Sequence, residues 1–199
     1  MKYFTSNHLA PSALSLNFLL ALSALITGCE STPQQLVIAP QTINSNGKHF
    51  LQKSAEVSVN DLRNKIHVIE IIKEDSAAQL INTSSHLGQT LAEHFTKALV
   101  DSGLNIAAAS NNTITLIINN AEIKVKQSLL KYQASTQLTL TVKVATNEQV
   151  LTKTYNSKLN SEGALKADIA VLERDFNQQL SALLQQIVND SEVYQFIKS

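Results

Sequence analysis

Residues 132–144 read YQASTQLTLTVKV, and this stretch decides the architecture. Tyr132, Ala134, Thr136, Leu138, Leu140, Val142 and Val144 alternate with Ser135, Gln137, Thr139, Thr141 and Lys143. A period of two places the first set on one face of a strand and the second set on the other. One face is apolar and its opposite almost wholly polar, the pattern of an antiparallel sheet with a core on one side and water on the other. Thr146-Asn147-Glu148 then turns the chain into a partner strand near residues 149–159.

Upstream, Ile114, Leu116 and Ile118 alternate with polar residues, and the phase slips at Asn119-Asn120 before Ala121, Ile123 and Val125 resume it. Such a slip predicts a β-bulge. Residues 66–72 (IHVIEII) form a β-branched run that reads as a central strand. A helix is expected between these regions. Ser84 or Ser85 caps it, Leu87, Leu91, Phe95, Ala98 and Leu99 make its apolar stripe, and Gly103 stops it. Closer to the amino terminus, residues 36–39 read as a small strand ended by Pro40. Asn44-Ser45-Asn46-Gly47 reads as a turn, and Val57 and Val59 as part of a short edge strand.

Downstream, Glu162-Gly163 is expected to break the sheet. Ile169, Leu172, Phe176, Leu180, Leu183 and Ile187 mark an amphipathic helix over residues 166–189. Ser191 would cap a last short turn whose Val193, Tyr194, Phe196 and Ile197 plug the core. Hiding both apolar helix stripes predicts an α+β fold, an antiparallel sheet of about four to five strands with two long helices packed on one face.

The chain has 199 residues, 44% hydrophobic and 16% charged, which suits one globular domain with a full core. Lys and Arg number 16 against 16 Asp and Glu, and residues 1–28 hold Lys2 alone among charged side chains. This balance, with no basic run, argues against a nucleic-acid partner. Cys29 is the one cysteine, so no intrachain disulfide can form.

The position of Cys29 explains it. Lys2 gives a weakly positive start, and residues 14–26 (LSLNFLLALSALI) form an apolar segment of signal-peptide length, short for a permanent span. The segment ends in Leu25-Ile26-Thr27-Gly28-Cys29, similar to the lipobox of bacterial lipoproteins. There the thiol is the nucleophile that takes a diacylglyceryl group, and small residues before it admit the chain to a protease at the membrane surface. The expected organisation is a removed signal at residues 1–28, a lipid-anchored spacer at 29–35, and one periplasmic domain at 36–199. Secretion with cleavage after Ser23 or Ala24 is the competing reading, and it leaves Gly28 and Cys29 without a reason. Several acyl chains on one residue make a lasting tether, since each buried CH₂ adds about 0.8 kcal/mol. Glu30, rather than Asp, follows the cysteine, which favours the outer over the inner membrane.

Catalytic chemistry finds little support. The five histidines are His8, His49, His67, His86 and His94; His8 leaves with the signal, and His86 and His94 lie two helical turns apart without an acidic residue at zincin spacing. Glu70 and the pair Glu93-His94 invite acid–base roles, but no nucleophile elbow or glycine-rich phosphate loop accompanies them. Glu162 reads as a strand exit before it reads as a catalytic acid. No catalytic set, metal site or cofactor is therefore expected. The polar sheet face is a solvated surface, or a docking surface for an envelope protein or glycan.

The lipobox, the strand pair, Asn160-Ser161-Glu162-Gly163-Ala164, the second helix and the ending Phe196-Ile197-Lys198 together resemble the YajG family of bacterial lipoproteins. The likeness spans most of the mature chain, is best from Ile114 onward, and cannot be followed over residues 41–65. It implies a Gram-negative envelope lipoprotein with an α+β domain, no assigned activity, and lipidation at Cys29. The architecture is also similar to small outer-membrane lipoproteins that assist envelope assembly, a fold-level likeness that transfers no function. The function expected is a non-enzymatic binding or assembly module at the periplasmic face of the outer membrane. A small-molecule or glycan-binding lipoprotein is the alternative, and an envelope hydrolase the second.

Overall fold

The computed structural model describes residues 3, 34–41, 43 and 46–197. Cys29, the lipobox and the apolar segment at residues 14–26 lie outside these residues. Residues from Gln34 to Ser199 form one compact unit.

Three strands of fifteen residues each dominate it. They are β5 (Thr113–Gln127), β6 (Lys131–Ala145) and β7 (Val150–Ala164), joined as successive antiparallel hairpins. Ala134, Leu138, Leu140, Val142 and Val144 are buried, and Gln133, Gln137 and Lys143 are exposed, so the alternation of residues 132–144 does set the faces. The register between β5 and β6 shifts between Ile118 and Asn120, where the apolar phase slips. Ile114, Leu116 and Ile118 before the bulge and Ala121, Ile123 and Val125 after it are all buried.

The expectation of an antiparallel sheet of four to five strands is corrected by the other edge of β5. There β1 (Ser54–Asp61) runs parallel to residues 113–118 and β2 (Ile69–Lys73) parallel to residues 123–127. Two short strands thus share one edge of a single long one. β3 (Gln79–Ile81) extends β2 antiparallel, and β4 (Asn105–Ile106) extends β1 parallel, giving a mixed sheet of seven strands. Alternation reports how a strand is buried and leaves the direction of its neighbours open, and here the helical connection between β1 and β5 permits a parallel pair.

The first helix, α1 (Leu87–Asp101), buries Leu87, Leu91, Phe95, Ala98 and Leu99, the expected stripe. Its N-cap is His86 instead of Ser84 or Ser85, and no side chain caps it; the Ser85 hydroxyl is 2.9 Å from that of Thr90. Gly103 follows the helix at φ +100°, a conformation glycine adopts without a Cβ clash. The second helix, α2 (Ile169–Val188), is capped by Asp168, whose side chain accepts from the Ala170 N–H. A last helix, α3 (Ser191–Phe196), is capped by Asp190 and not by Ser191. Val193 and Ile197 are buried, so the ending is part of the core. α1 meets β1, α2 meets β6 and β7, and the two long helices touch.

Glu162-Gly163 does not end the sheet as expected, because β7 runs on to Ala164. A Cβ on Gly163 would stand 2.6 Å from Tyr132 Cε1, so the glycine is there to let the tyrosine ring lie against its cross-strand partner. Nor do residues 36–39 form a regular strand. Leu36 makes an isolated bridge to Thr83, and the chain then follows α2 in extended form.

That path is a ladder. The N–H groups of Val37, Ala39 and Gln41 donate to Glu173 Oε2 (2.7 Å), Asn177 Oδ1 (2.9 Å) and Ser181 Oγ (2.8 Å). Four helical residues rise about 6 Å, and two extended residues span about 6.6 Å, so steps of four and two stay in register. Asn177 also donates from Nδ2 to the Val37 carbonyl at 2.9 Å, acting as a strand neighbour would. Leu36, Ile38 and Pro40 are buried.

Candidate functional site

The candidate site is the outer face of β5, β6 and β7. Cross-strand register lays its side chains in rows: Lys126, Gln133 and Glu162, then Lys124, Ser135 and Asn160. These six residues line a groove of about 590 Å³. The next rows are Glu122, Gln137 and Lys158, then Asn120, Thr139 and Asn156, with Thr139 Oγ1 donating to Asn156 Oδ1 at 2.9 Å. Beyond them Thr141 is buried. Its hydroxyl donates to Asn119 Oδ1 at 2.7 Å and stands 3.0 Å from Thr154 Oγ1, so Thr154 donates the second bond. Amides, hydroxyls and charges of both signs succeed one another here, with no aromatic ring among the residues lining the groove.

At the bulge the surface carries an ion-pair knot. Lys65 Nζ donates to Glu122 Oε1 at 2.6 Å and to Glu70 Oε2 at 3.2 Å, and Lys124 Nζ lies 3.4 Å from Glu122 Oε2. Burial alone would raise the pKa of Glu122, but Lys65 and Lys124 outweigh it and hold it below the ordinary carboxylate value. Hydrogen bonds to Glu122 and then Glu70 raise that of Lys65. His67, Glu70 and Glu122 each offer a metal-ligand atom, all within 4.8 Å of one another. His67 Nε2 is buried without a hydrogen-bond partner among the described residues. The Lys65 ammonium already binds both carboxylates, so a metal on these three residues would have to compete with it. Beside the knot Arg63 donates from Nε and Nη2 to both oxygens of Asp61, at 2.9 and 2.8 Å.

On the inner side, Asp190 joins β7 to the junction of α2 and α3. Its Oδ2 accepts from Lys153 Nζ at 2.6 Å and Tyr155 Oη at 2.7 Å, and its Oδ1 accepts from the Glu192 N–H at 2.9 Å. Burial would raise the Asp190 pKa, and the hydrogen bonds from Lys153, Tyr155 and Glu192 together carry it below the ordinary value. Burial, reinforced by the Asp190 carboxylate, pushes the Tyr155 phenol well above its ordinary range, so it stays a donor. This cluster ties elements together and lines none of the grooves described here.

The residues weighed for catalysis are not brought together. Glu70 is held in the knot, while Glu162 lies in the groove on β7. Glu93 and His94 are on α1, where His94 lines a separate cleft of about 120 Å³ with Pro40 and Ile43, and His86 is exposed at the helix start. Sequence reasoning misses the knot, although Glu122 between apolar Ala121 and Ile123, and Glu70 inside a β-branched run, are its signals. It misses the α2 ladder as well. Glu173, Asn177 and Ser181, spaced by four, are a polar stripe beside the apolar one.

Residues 40–198 match the model of a protein family described as uncharacterized lipoprotein. The chain belongs to that lipoprotein family. No helix of the described residues is long and apolar enough to cross a membrane. Comparison with curated protein sequences finds no match. Among solved structures, the lipoprotein is similar to a protein from Xanthomonas campestris at 13% identity and TM-score 0.58, over 82% of this chain and 97% of that one. That likeness concerns the fold alone. A proposed neuraminyllactose-binding hemagglutinin homolog from Helicobacter pylori is 6% identical at TM-score 0.40, over 82% of this chain and 96% of that one. So distant a likeness says nothing about ligands.

Proposed function

We propose that the lipoprotein is of the YajG type, anchored by acyl chains on Cys29 at the periplasmic face of the outer membrane, and that it works without catalysis as a docking module for envelope assembly. The observation that carries the docking reading is the outer face of β5, β6 and β7. Its rows of Lys, Glu, Gln, Asn, Ser and Thr are exposed or half-buried on a sheet made rigid by fourteen residue pairs between β5 and β6 and fifteen between β6 and β7. A rigid face with fixed donors and acceptors suits a protein partner, because polar groups placed in advance lose little entropy on binding. Dispersal of Glu70, Glu162 and His94 over separate elements supports the non-catalytic reading.

Site-specific photocrosslinking tests this. A crosslinker at Gln137 or Asn156 in living cells is expected to trap one discrete envelope protein, and one at Glu93 on α1 is not. Turnover of a cell-wall substrate by the purified lipoprotein, lost in Glu162→Gln, would replace docking with hydrolysis. For the anchor, Cys29→Ser is expected to move the protein from the membrane to the soluble fraction.

A second reading has one observation in its favour, the groove of about 590 Å³ lined by Lys124, Lys126, Gln133, Ser135, Asn160 and Glu162. Its side chains could hydrogen-bond a glycan or small polar molecule. The lining lacks the aromatic platform on which sugar rings commonly stack, so docking of a protein is preferred. Thermal stabilisation by purified envelope glycan, abolished by Asn160→Ala, would reverse that preference.

A further inference from the structure

Three leucines stand in water at one end of the sheet. Leu129 and Leu130 form the β5–β6 turn at 95% and 78% exposure, and Leu165, just past β7, is 65% exposed. They belong together: the Leu165 N–H donates to the Leu130 carbonyl at 2.8 Å, and Gln127 Nε2 donates to the Leu165 carbonyl at 2.8 Å. Leu165 holds φ +63°, a left-handed conformation that disfavours a branched side chain and that glycine or asparagine would adopt more easily. Turn positions ordinarily carry small or polar residues. A cluster of exposed leucines in such places marks a surface that is covered in use.

The position of this end in the chain says what covers it. The anchor side of the domain enters from this end, since the ladder of Val37, Ala39 and Gln41 begins at Glu173, one turn inside α2, and runs to Ser181, away from the start of that helix. The start of α2 is in turn fastened to the turn of leucines, because the Ala167 N–H donates to Gln127 Oε1 at 2.9 Å. Seven residues lead from Cys29 to Leu36 in the sequence, a reach of at most about 25 Å. Lys131 and Lys166 directly follow Leu130 and Leu165, and Lys73, Lys126 and Lys131 line the adjoining groove against Glu74. Leucines tipped with flanking lysines suit the boundary of a bilayer, with apolar side chains below the headgroups and ammonium groups among them.

We infer that Leu129, Leu130 and Leu165 form a foot that dips into the phospholipid surface holding the anchor, fixing which face of the domain points away from the membrane. The foot rests on the lipid-anchor reading, and its occupant is the bilayer rather than a protein. Shallow insertion needs no matched pocket, only apolar side chains at the correct height.

The chain has no tryptophan, so Leu130→Trp places a single reporter on the foot. In the full lipoprotein reconstituted into phospholipid vesicles, its emission is expected to shift to the blue and to be quenched by nitroxide-labelled acyl chains. Adding Leu129→Asp and Leu165→Asp is expected to abolish both, while the circular dichroism stays unchanged because these side chains lie outside the core. A water-like emission spectrum in vesicles, from protein whose mass shows the acyl chains in place, would overturn the foot and leave the anchor standing. A blue shift without lipid quenching would mean that protein covers these leucines, and would overturn it equally. An unmodified Cys29 by mass would instead refute the anchor, and the foot with it.

Discussion

Gly163 lies inside a regular strand, and the space a side chain would need there is taken by the Tyr132 ring from the neighbouring strand. Gly163→Ala would bring a methyl group to 2.6 Å from Tyr132 Cε1, and the ring, partly exposed and free at its far end, would swing away. The expected cost is about 1 kcal/mol, at the low end for overpacking. In a Tyr132→Ala background the same substitution should cost nothing, so a double-mutant cycle by urea denaturation isolates the clash; equal costs in both backgrounds would refute it. Asp190 is a second case. Its pKa is depressed in the folded protein, so the stability it confers is complete above the unfolded carboxylate value of about 3.9. That contribution fades as pH falls through the lower folded value. Asp190→Asn should be less stable than the parent at pH 7, by about 1–3 kcal/mol for lost hydrogen bonds to a charged group, and the gap should narrow steadily below pH 4. A gap that stays constant in acid would mean that Asp190 is not the linked group. Neither partnership is legible in sequence, because Tyr132 and Gly163 are 31 positions apart and Asp190 and Lys153 are 37 apart. A glycine after a polar run signals a chain break when its cross-strand neighbour is out of view.

At the scale of elements, periodicity is the reliable signal and termini are not. The stripes of α1 and α2 and the inward positions of β5 and β6 are buried as their spacing requires. Burial of apolar area drives folding more than any other interaction, and it acts along a whole element. Caps are decided by single hydrogen bonds of about 1 kcal/mol, and there His86 and Asp190 take the places that the sequence pattern gives to Ser84 or Ser85 and to Ser191. Residues 36–41 are the sharper lesson. Their apolar residues mark an extended segment, but they find a helix in place of a sheet edge, and the stripe Glu173, Asn177 and Ser181 supplies the hydrogen bonds a strand would have supplied. Asn177 is central because it both donates and accepts. Asn177→Leu keeps the branched shape and removes both bonds, leaving the Val37 carbonyl and Ala39 N–H without their partners. The expected loss is about 2–3 kcal/mol, from two hydrogen bonds near 1 kcal/mol each and the desolvation left behind. Hydrogen exchange should show faster exchange at the Val37, Ala39 and Gln41 amides and unchanged protection in β5 and β6. Unchanged exchange at those three amides would show that burial of Leu36 and Ile38 holds the segment alone.

The whole molecule turns on the bulge in β5. On one side of this strand β6 runs its full length, and on the other β1 ends near Ile118 while β2 begins near Ile123. The crook between β1 and β2, residues 62–68, sits against the bulge, with the Leu62 N–H on the Ile118 carbonyl and the Ile123 N–H on the Val68 carbonyl. Both edges of the strand therefore change step at one place. A bulge adds twist and bend, and this one lets a fifteen-residue strand curl while Ile114 to Ile118 and Ala121 to Val125 keep their apolar side chains in one core. Parity decides what a change of length does here. Deleting Asn119 leaves Ile118, Ala121, Ile123 and Val125 in unbroken alternation and in step with Leu140 and Leu138 of β6, so every apolar side chain still points inward. That variant should fold with a flatter sheet and lower stability, since Thr141 loses its acceptor and the crook loses its match. Adding a residue to β6 between Thr139 and Leu140 also equalises the two strands, but in the opposite way. The regular ladder then runs an odd step from Ile118 to Ala121, and a shift of one residue exchanges the faces of everything beyond it. Either the residues before the bulge or those after it must then face water. The insertion should abolish cooperative unfolding altogether, whereas the deletion should keep it with a lowered midpoint, both read by denaturant titration with circular dichroism. If the two changes proved equally harmful, the bulge would owe its place to local contacts, and the curl of the sheet would need another cause.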